Sequence, residues 1–260
     1  MPAKPYKNSG SRLGIWHHFL DGQPEYLARH YWWAYLWRWG VWFFDHQPII
    51  NAILFGQYQT LSHRALHDCI NKRPAGRLLQ LTCVYGSLTP SLLKEIDDEL
   101  YLMDVAEIQL SSTRKKLVEA EKARLLCARM NAEYLAYGDN LFATILIFFL
   151  LHELPPEARE RTLHEVVRVL RPGGRLVITE YGPCPKRHLL WQLWPARVLL
   201  EWLEPFLNSF WQQDLAATLA EYARSRGKVL RQVDEFRCFA SFYRVCVFEL
   251  DESSVADIAE

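Results

Sequence analysis

The residues best suited to chemistry follow two apolar stretches of the chain. In RLLQLTCVYGSLTP, residues 77–90, an apolar run breaks at a turn around Gly86, and Thr89-Pro90 then favours a helix start, because the hydroxyl can cap an amide and proline suits the first helical position. Strand, glycine turn and capped helix open a nucleotide-type α/β unit, whose turn and exposed amides can hold an anionic or polar group. Asp104 ends a second strand candidate about 20 residues on, where such folds place a ribose-binding carboxylate. The spacing therefore suits an adenosyl ligand.

A second candidate site follows the most apolar run of the chain, LFATILIFFLLHELP, which leads into His152 and Glu153. Ligands of open α/β sheets bind at the carboxyl ends of strands, and Glu180 and Tyr181 end a later strand candidate at the same edge. His152 could serve as a general base, a metal ligand or a hydrogen-bond donor, or it could simply pack under the following turn. Glu153 could share these roles or only stabilise a helix N-terminus. HELPPE lacks the second histidine of HExxH, which excludes a zinc-protease motif.

The elements that must position these residues alternate along the chain. Strand candidates include YLMDV, ARLLCARM, the apolar run before His152, and RLVITEYG, with helical patterns between them. Arg171-Pro-Gly-Gly is predicted to end a helix before RLVITEYG. VLRQVDEF and SFYRVCVFEL follow as two further strands, expected to be antiparallel at the sheet edge. The pattern predicts an α/β fold with a mainly parallel sheet and helices on both faces.

Composition limits the classes of function. The 260 residues and 30.5 kDa can bury a substantial core, and 30 basic residues balance 30 acidic ones, so no global charge recruits nucleic acid. The six cysteines are scattered without C-x-x-C pairs, which favours reduced thiols in the cytoplasm.

Residues 26–58 are unusually aromatic and hold half of the tryptophans. Charged residues and Pro48 interrupt them, so no run of about 20 apolar residues is left to cross a bilayer. Tryptophan and tyrosine favour the membrane headgroup region, which predicts a peripheral membrane contact. The alternative is that these rings are buried in a helical cap over the sheet, and both can hold for different faces of one helix.

These features divide the chain into five segments. Residues 1–25 are predicted to be a disordered tail and residues 26–76 an aromatic helical cap. Residues 77–250 form the predicted ligand-binding core, and 251–260 an acidic tail. Within the core, residues 184–225 are an aromatic helical insertion before the last strands, which could close with the cap over one cavity.

By its order of segments, the core resembles a class I S-adenosylmethionine (SAM) methyltransferase, with a Rossmann-like sheet. The family's first motif, acid-x-Gly-x-Gly-x-Gly, falls here on Gln80, Thr82, Val84 and Gly86, so that three of its four signature positions differ. β-Carbons at Thr82 and Val84 and the missing charge at Gln80 predict that the amino-acid half of SAM lies differently. This shift could present its amino nitrogen, instead of its methyl carbon, to an acceptor.

The same resemblance implies further cofactor contacts. The pair Asn131-Ala132 stands where the family usually has an Asp-Ala pair at the adenine, although asparagine after a strand is also an ordinary turn residue. Val105, Phe149 and Tyr85 complete the predicted cofactor site.

A closer resemblance is carried by CVYGSLTP, FLLHELPPE, RVLRPGGRLVITEYG and the aromatic leader ending ILFGQY. Together they are similar to the rhodoquinone-biosynthesis family, methyltransferase-like proteins that convert ubiquinone to rhodoquinone. The resemblance implies SAM as an amino donor that replaces a quinone methoxy group, a Mn²⁺ requirement, and a location at the inner face of the membrane. A conventional methyltransferase acting on a quinone or lipid, and a non-catalytic binding protein, remain as alternatives.

The predicted catalytic residues under this resemblance are His152, Glu153, Tyr58 and Tyr85, the tyrosines as proton donors or as packing. Metal ions of this type prefer carboxylates and imidazoles. His152 and Glu153 are the favoured ligands among a wider set without diagnostic spacing, namely Asp45, His46, His152, Glu153, Glu180 and Asp214.

Overall fold

A computed structural model describes residues 23–185 and 188–252. Its centre is a seven-stranded sheet whose strands are, in chain order, β1 (Leu78–Leu81), β2 (Leu100–Asp104), β3 (Leu125–Arg129), β4 (Phe142–Phe148), β5 (Leu170–Tyr181), β6 (Lys228–Cys238) and β7 (Tyr243–Glu252). Across the sheet the order is β3-β2-β1-β4-β5-β7-β6. β1 to β5 pair in parallel, and β7 is antiparallel to both of its neighbours. The predicted α/β fold, its central fourth strand and its antiparallel edge are confirmed.

The middle of the sheet is formed by β1 and β4, the strands predicted from apolar runs of the sequence. Every residue of β1 and of β4 is buried, as expected for parallel strands that are covered on both faces. Because these two strands are neighbours, their carboxyl ends, near Thr82 and Phe149, open at the middle of one sheet edge.

Helices cover the sheet and extend beyond it. Those before β1 are α1 (Glu25–His30), α2 (Trp32–Tyr35), α3 (Arg38–Phe44), α4 (Gln47–Ile53) and α5 (Tyr58–Ile70). Those between the parallel strands are α6 (Leu88–Glu95), α7 (Glu107–Lys115), α8 (Glu119–Arg124) and α9 (Pro156–Val169), with a 3₁₀ helix at Leu151–Glu153. Those before β6 are α10 (Leu189–Gln192), α11 (Trp194–Leu203), α12 (Leu207–Gln212) and α13 (Leu215–Ser225).

Packing refines the expected division of the chain. α5 lies on β4, β5 and β7 with Leu61 and Ala65 fully buried, so it belongs to the helical layer of the sheet. α13 likewise packs against α9 and β6. The parts that stand off the sheet are therefore α1 to α4, here called the leader, and residues 184–212 without 186 and 187, here called the insertion.

Three expectations concern segment ends. Residues 1–22 of the predicted tail and 253–260 of the acidic tail lie outside the described residues, whereas Glu25 begins α1 and β7 extends to Glu252. α9 ends at Val169, before Arg171-Pro-Gly-Gly as predicted, but β5 already begins at Leu170. A register shift opposite Phe142–Thr144 accommodates this early start.

Within residues 23–185 and 188–252, we find no helix that combines the length and the apolar character needed to cross a bilayer.

Candidate functional site

A cleft opens at the carboxyl ends of β1, β2 and β4. It contains about 670 Å³ of unfilled space, part of it open to solvent. Its sheet side is lined by Thr82, Cys83, Asp104, Val105 and Phe149. Five residues from three strand ends thus face one cavity, as expected for ligand sites in open α/β sheets.

The leader forms the opposite wall through Tyr26, Tyr31 and Tyr35. Tyr31 donates a hydrogen bond to Glu204 at 3.0 Å, which joins the leader to the end of α11. The rings of His30 and Phe206 also meet, with centroids 5.3 Å apart. The two aromatic segments therefore meet beside a single cleft.

Asp104 is held firmly at the end of β2. Its carboxylate accepts hydrogen bonds from the Cys83 and Ala106 amides, each at 2.8 Å. Burial raises its pKa to about 6, although these amides favour the charged form. An acceptor so placed beside Val105 can bind a ligand hydroxyl.

Asn131 and Ala132 line the same end of the cleft. The Asn131 side chain accepts from the Glu133 amide at 3.0 Å and donates to the Glu133 carboxylate at 3.1 Å. Asn131 therefore has the turn role that was the alternative interpretation, while its position next to the cleft also matches the predicted adenine site.

In the turn after β1, Thr82 has a backbone conformation that is usual for glycine. Thr82 has a φ of +72°, in the left-handed region that β-branched residues rarely adopt. Gln80 is fully buried and does not line the cleft. It donates to the Thr82 carbonyl and accepts from the Thr89 hydroxyl, each at 3.0 Å, and so braces the turn from behind.

The amides beyond this turn do not face the cleft, contrary to the expectation that they could hold a ligand group. The Gly86 amide donates to Asp45 at 2.9 Å. The Ser87 and Leu88 amides donate to the Tyr58 hydroxyl at 2.9 and 3.1 Å. Val84 and Gly86 lie outside the cleft lining as well. The chain's own side chains occupy the place that the glycine turn offers to an anion.

Both candidate tyrosines are engaged inside the protein. The Tyr58 hydroxyl donates to the Tyr85 carbonyl at 3.0 Å. Tyr85 donates to the Ala34 carbonyl and accepts from Gln109 at 2.8 Å, and its ring stacks on Tyr35 with centroids 5.7 Å apart. Burial raises the pKa of both phenols. Neither lines the cleft, so the geometry gives them positioning roles and no proton donor role.

An acidic cluster lies beside the cleft, where Glu153 lines it while His152, Glu180 and Glu204 stand behind the lining. His152 Nδ1 lies 2.8 Å from Glu180, and its Nε2 lies 3.7 Å from Glu204. Glu153 lines the cleft and accepts a hydrogen bond from Tyr35. Atoms of His152, Glu153 and Glu204 lie within 4.8 Å of one another, and in the described part of the chain this is the one such group of metal-ligand type.

Burial and the charges of neighbouring groups shift the pKa values in this cluster. Burial opposes the charged imidazole of His152, but Glu180 and Glu204 outweigh it and raise its pKa to about 9. Burial, aided by repulsion from Glu204, raises the pKa of Glu153, and burial also raises that of Glu204. The raised pKa values favour the protonated forms of Glu153 and Glu204, and a cation bound among these carboxyl groups would favour their charged forms.

Three of the other metal candidates, Asp45, His46 and Asp214, have partners outside the cluster. Asp45 pairs with Lys116, the His46 ring contacts the Trp42 carbonyl at 2.7 Å, and Asp214 caps α13 through the Ala217 amide. Glu180 lies behind His152, where it also accepts from the Leu151 amide.

Sequence reasoning missed Glu204 and Tyr35. The available signals were weak: an acid before a proline at the end of an apolar helix, and one tyrosine in a leader full of aromatic residues.

Known proteins resemble the middle part of this chain in sequence. Residues 78–174 match a family model described as a methyltransferase domain. The ubiquinone/menaquinone biosynthesis C-methyltransferases UbiE of Vibrio cholerae and Yersinia pestis are 31% and 33% identical over 137 residues, or 52% of this chain and 52% and 54% of those proteins. The matched region spans about half the length of these relatives.

Solved structures share the fold at low identity. The N-methyltransferase NodS from Bradyrhizobium japonicum WM9 has a TM-score of 0.53 at 15% identity, covering 75% of this chain and 96% of that one. The mitomycin 7-O-methyltransferase MmcR has a TM-score of 0.55 at 15% identity, covering 80% and 60%. The chain therefore has the Rossmann-like fold of SAM-dependent methyltransferases, and its residues 78–174 match the methyltransferase domain family.

Proposed function

We propose that this chain is a SAM-utilising transferase that converts ubiquinone to rhodoquinone, with SAM as the amino donor. The observation that carries the proposal is one cleft with two different ends. Asp104, Val105 and Asn131 suit an adenosyl group at one end, and Glu153, the member of the acidic cluster that lines the cleft, suits an amino group at the other. The quinone substrate is supported by the matched relatives, which are named for ubiquinone and menaquinone biosynthesis.

The amino exchange can be written in balance. The amino nitrogen of SAM adds to the ring carbon that bears the methoxy group, the carbon–oxygen bond breaks, and methanol leaves with the proton lost by nitrogen. A proton is then removed from the SAM β-carbon, the bond between nitrogen and the α-carbon breaks, and a double bond forms between the α- and β-carbons. Nitrogen takes up a proton and leaves as part of the aminoquinone, so the step needs no oxidant. Glu153 is the carboxylate that lines the cleft and can accept the proton from the β-carbon.

The residues present fit a divalent cation such as Mn²⁺. One imidazole and two carboxyl groups whose ligand atoms lie within 4.8 Å of one another suit this ion. His152, Glu153 and Glu204 would hold it, and a bound cation would supply positive charge beside a quinone oxygen. Glu180 holds His152 Nδ1, which leaves Nε2 directed towards Glu204, and Tyr35 orients Glu153.

A peripheral contact with the inner face of the membrane completes the proposal. A polyprenyl tail keeps its quinone in the bilayer, and both the leader and the insertion present exposed tryptophans, namely Trp37, Trp39, Trp42, Trp194 and Trp202. These rings can rest among lipid headgroups while the cleft takes up the quinone ring.

Product analysis tests the reaction. The purified protein is incubated with SAM labelled with ¹⁵N at its amino group, a short-chain ubiquinone and Mn²⁺, and the quinones are analysed by mass spectrometry. We expect an aminoquinone that carries the label. A methylated quinone would favour the conventional methyltransferase instead, and the absence of both products and of SAM binding would favour a non-catalytic binding protein.

The cation site has its own test. Glu204→Gln should weaken Mn²⁺ binding, measured by electron paramagnetic resonance, by about tenfold or more because it removes a charged ligand. Glu201→Gln, in α11 three residues before Glu204 and outside the cluster, is the matched control and should bind Mn²⁺ like the parent protein. Equal binding by both variants would contradict the assignment of Glu204.

A further inference from the structure

Three backbone amides at the start of α6 mark the place where this fold could bind an anion. They belong to Gly86, Ser87 and Leu88, and α6 is eight residues long, so their dipoles point out of a full helix N-terminus. In this chain all three are already hydrogen-bonded to Asp45 or Tyr58. A ligand carboxylate would have to displace these side chains.

Further contacts close the site at the amides of α6. Lys116 pairs with Asp45 at 2.5 Å and donates to the Gly86 carbonyl at 3.0 Å. Gln47 donates to the Ser87 hydroxyl at 2.7 Å. Even a β-carbon added at Gly86 would lie 2.6 Å from the Tyr58 hydroxyl, so no open space remains there. Since Asp45, Gln47 and Tyr58 all precede β1, residues 45–58 close the amide site.

The cleft itself continues in another direction. Of the turn after β1, only Thr82 and Cys83 line the cleft. The cleft then extends to Tyr35 and Glu153. At that end the carboxyl group of Glu153 lines the cleft, and no basic residue does. A ligand ammonium group can therefore pair with Glu153, whereas a ligand carboxylate finds no basic partner in the lining.

We infer that the α-amino group of SAM is held at Glu153, and that Asp45 and Tyr58 exclude its α-carboxylate from the amides of α6. This inference rests on the proposed use of SAM and deepens it, because it names the residues that set the orientation of the amino-acid half. The amino nitrogen is thereby directed towards the acidic cluster, where the acceptor quinone is proposed to react.

A panel of ligands tests this orientation in the parent protein. Calorimetry in the presence of a chelator compares SAM, decarboxylated SAM and 5′-methylthioadenosine, which lacks the whole amino-acid group. We expect decarboxylated SAM to bind at least as tightly as SAM, and about fivefold or more tighter than 5′-methylthioadenosine. If SAM instead bound about tenfold tighter than decarboxylated SAM, its carboxylate would have a dedicated site and the inference would be wrong.

Variants test the two groups of residues separately. Glu153→Gln should reduce the affinity for decarboxylated SAM towards that for 5′-methylthioadenosine, which lacks the sulfonium charge as well as the amino group. Glu160→Gln, at an exposed position of α9, should leave the difference between the two affinities unchanged. The double variant Asp45→Ala/Tyr58→Phe frees the three amides, so the preference for SAM over decarboxylated SAM should rise about fivefold. Its fold is checked by circular dichroism.

The outcomes separate the inference from the proposed function. If no adenosyl compound binds, the use of SAM is refuted and the orientation with it. If the compounds bind but the order of affinities is reversed, or if a folded double variant keeps the parent preference, only the orientation is refuted.

Discussion

Thr82 has a positive φ, a backbone conformation that glycine adopts without strain. Its positive φ is stabilised from outside, since its amide donates to the Met103 carbonyl at 2.9 Å and its carbonyl accepts from Gln80. A β-branched residue in this conformation costs about 1–3 kcal/mol. The strain lies in the turn that lines the cleft, which agrees with a turn shaped for a ligand.

Replacing Thr82 by glycine should therefore stabilise the protein. We expect Thr82→Gly to raise the free energy of unfolding by about 1 kcal/mol, because relief of the strain exceeds the entropy that glycine adds to the unfolded chain. Urea denaturation measures it. Thr113→Gly, inside α7 and without positive φ, is the control and should lower stability. Similar losses in both variants would show that Thr82 is unstrained.

Asp104 should make stability depend on pH. Its pKa in the folded protein, about 6, exceeds its ordinary value of 3.8, so the folded state holds the proton more tightly and the free energy of unfolding falls as pH rises through this window. Relative to Asp104→Asn, the parent protein should lose up to about 3 kcal/mol between pH 4 and pH 7, both taken as approximate limits of the window. Urea denaturation of both proteins across this range measures the difference, and a constant difference would contradict the raised pKa.

At the scale of elements, the leader depends on one close approach between α2 and α3. A β-carbon on Gly40 would lie 1.7 Å from the Trp33 carbonyl oxygen, so only glycine lets the two helices meet here. This contact holds α2, which carries Tyr35 to Glu153. Leader packing and the geometry of the acidic cluster are therefore linked.

Gly40→Ala should disturb both the packing of the leader and the geometry of the acidic cluster. Overpacking of this kind costs about 1–3 kcal/mol, and we also expect weaker Mn²⁺ binding because Tyr35 would shift. Thermal unfolding and electron paramagnetic resonance report the two effects. Gly138→Ala is the matched control, since an added β-carbon there meets no atom within 4 Å and its φ is not positive. Parent-like behaviour of Gly40→Ala would mean that the helices can separate without consequence.

For the molecule as a whole, the main surface feature is the insertion helix α11. None of its ten residues is buried, although most are apolar, and Trp194 and Trp202 are 69% and 74% exposed. A helix of this composition at a protein surface suits a lipid interface, where indole rings favour the headgroup region.

Removing these rings should weaken membrane binding. We expect Trp194→Ala/Trp202→Ala to reduce the partition into vesicles of phosphatidylcholine and phosphatidylglycerol by about tenfold in a sedimentation assay. Tyr134→Ala, at a similarly exposed aromatic residue whose amide donates to the Asn131 carbonyl, should leave binding unchanged. A loss of equal size in the control, or none in the double variant, would contradict a contact through α11.

Much of the architecture could be predicted from local patterns. Apolar runs identified β1 and β4, and the turn around Gly86 and the acid at the end of β2 were correctly placed at the strand ends. These features depend on neighbours in the chain, because burial on both faces and turn formation are encoded over a few residues. The parallel order then brings Asp104 and Phe149 to one sheet edge.

The sequence by itself therefore determined the α/β order, the edge of the sheet that carries the cleft, and the loss of the usual glycines at Thr82 and Val84. The tertiary structure alone decided what surrounds the cleft: Tyr35 meets Glu153 across 118 residues of chain, and Tyr58 reaches the amides of Ser87 and Leu88. Such contacts depend on how the leader and the insertion pack over the sheet. Local hydrophobic periodicity and motif spacing do not predict that packing, because the stabilising contacts form between residues that are distant in the sequence.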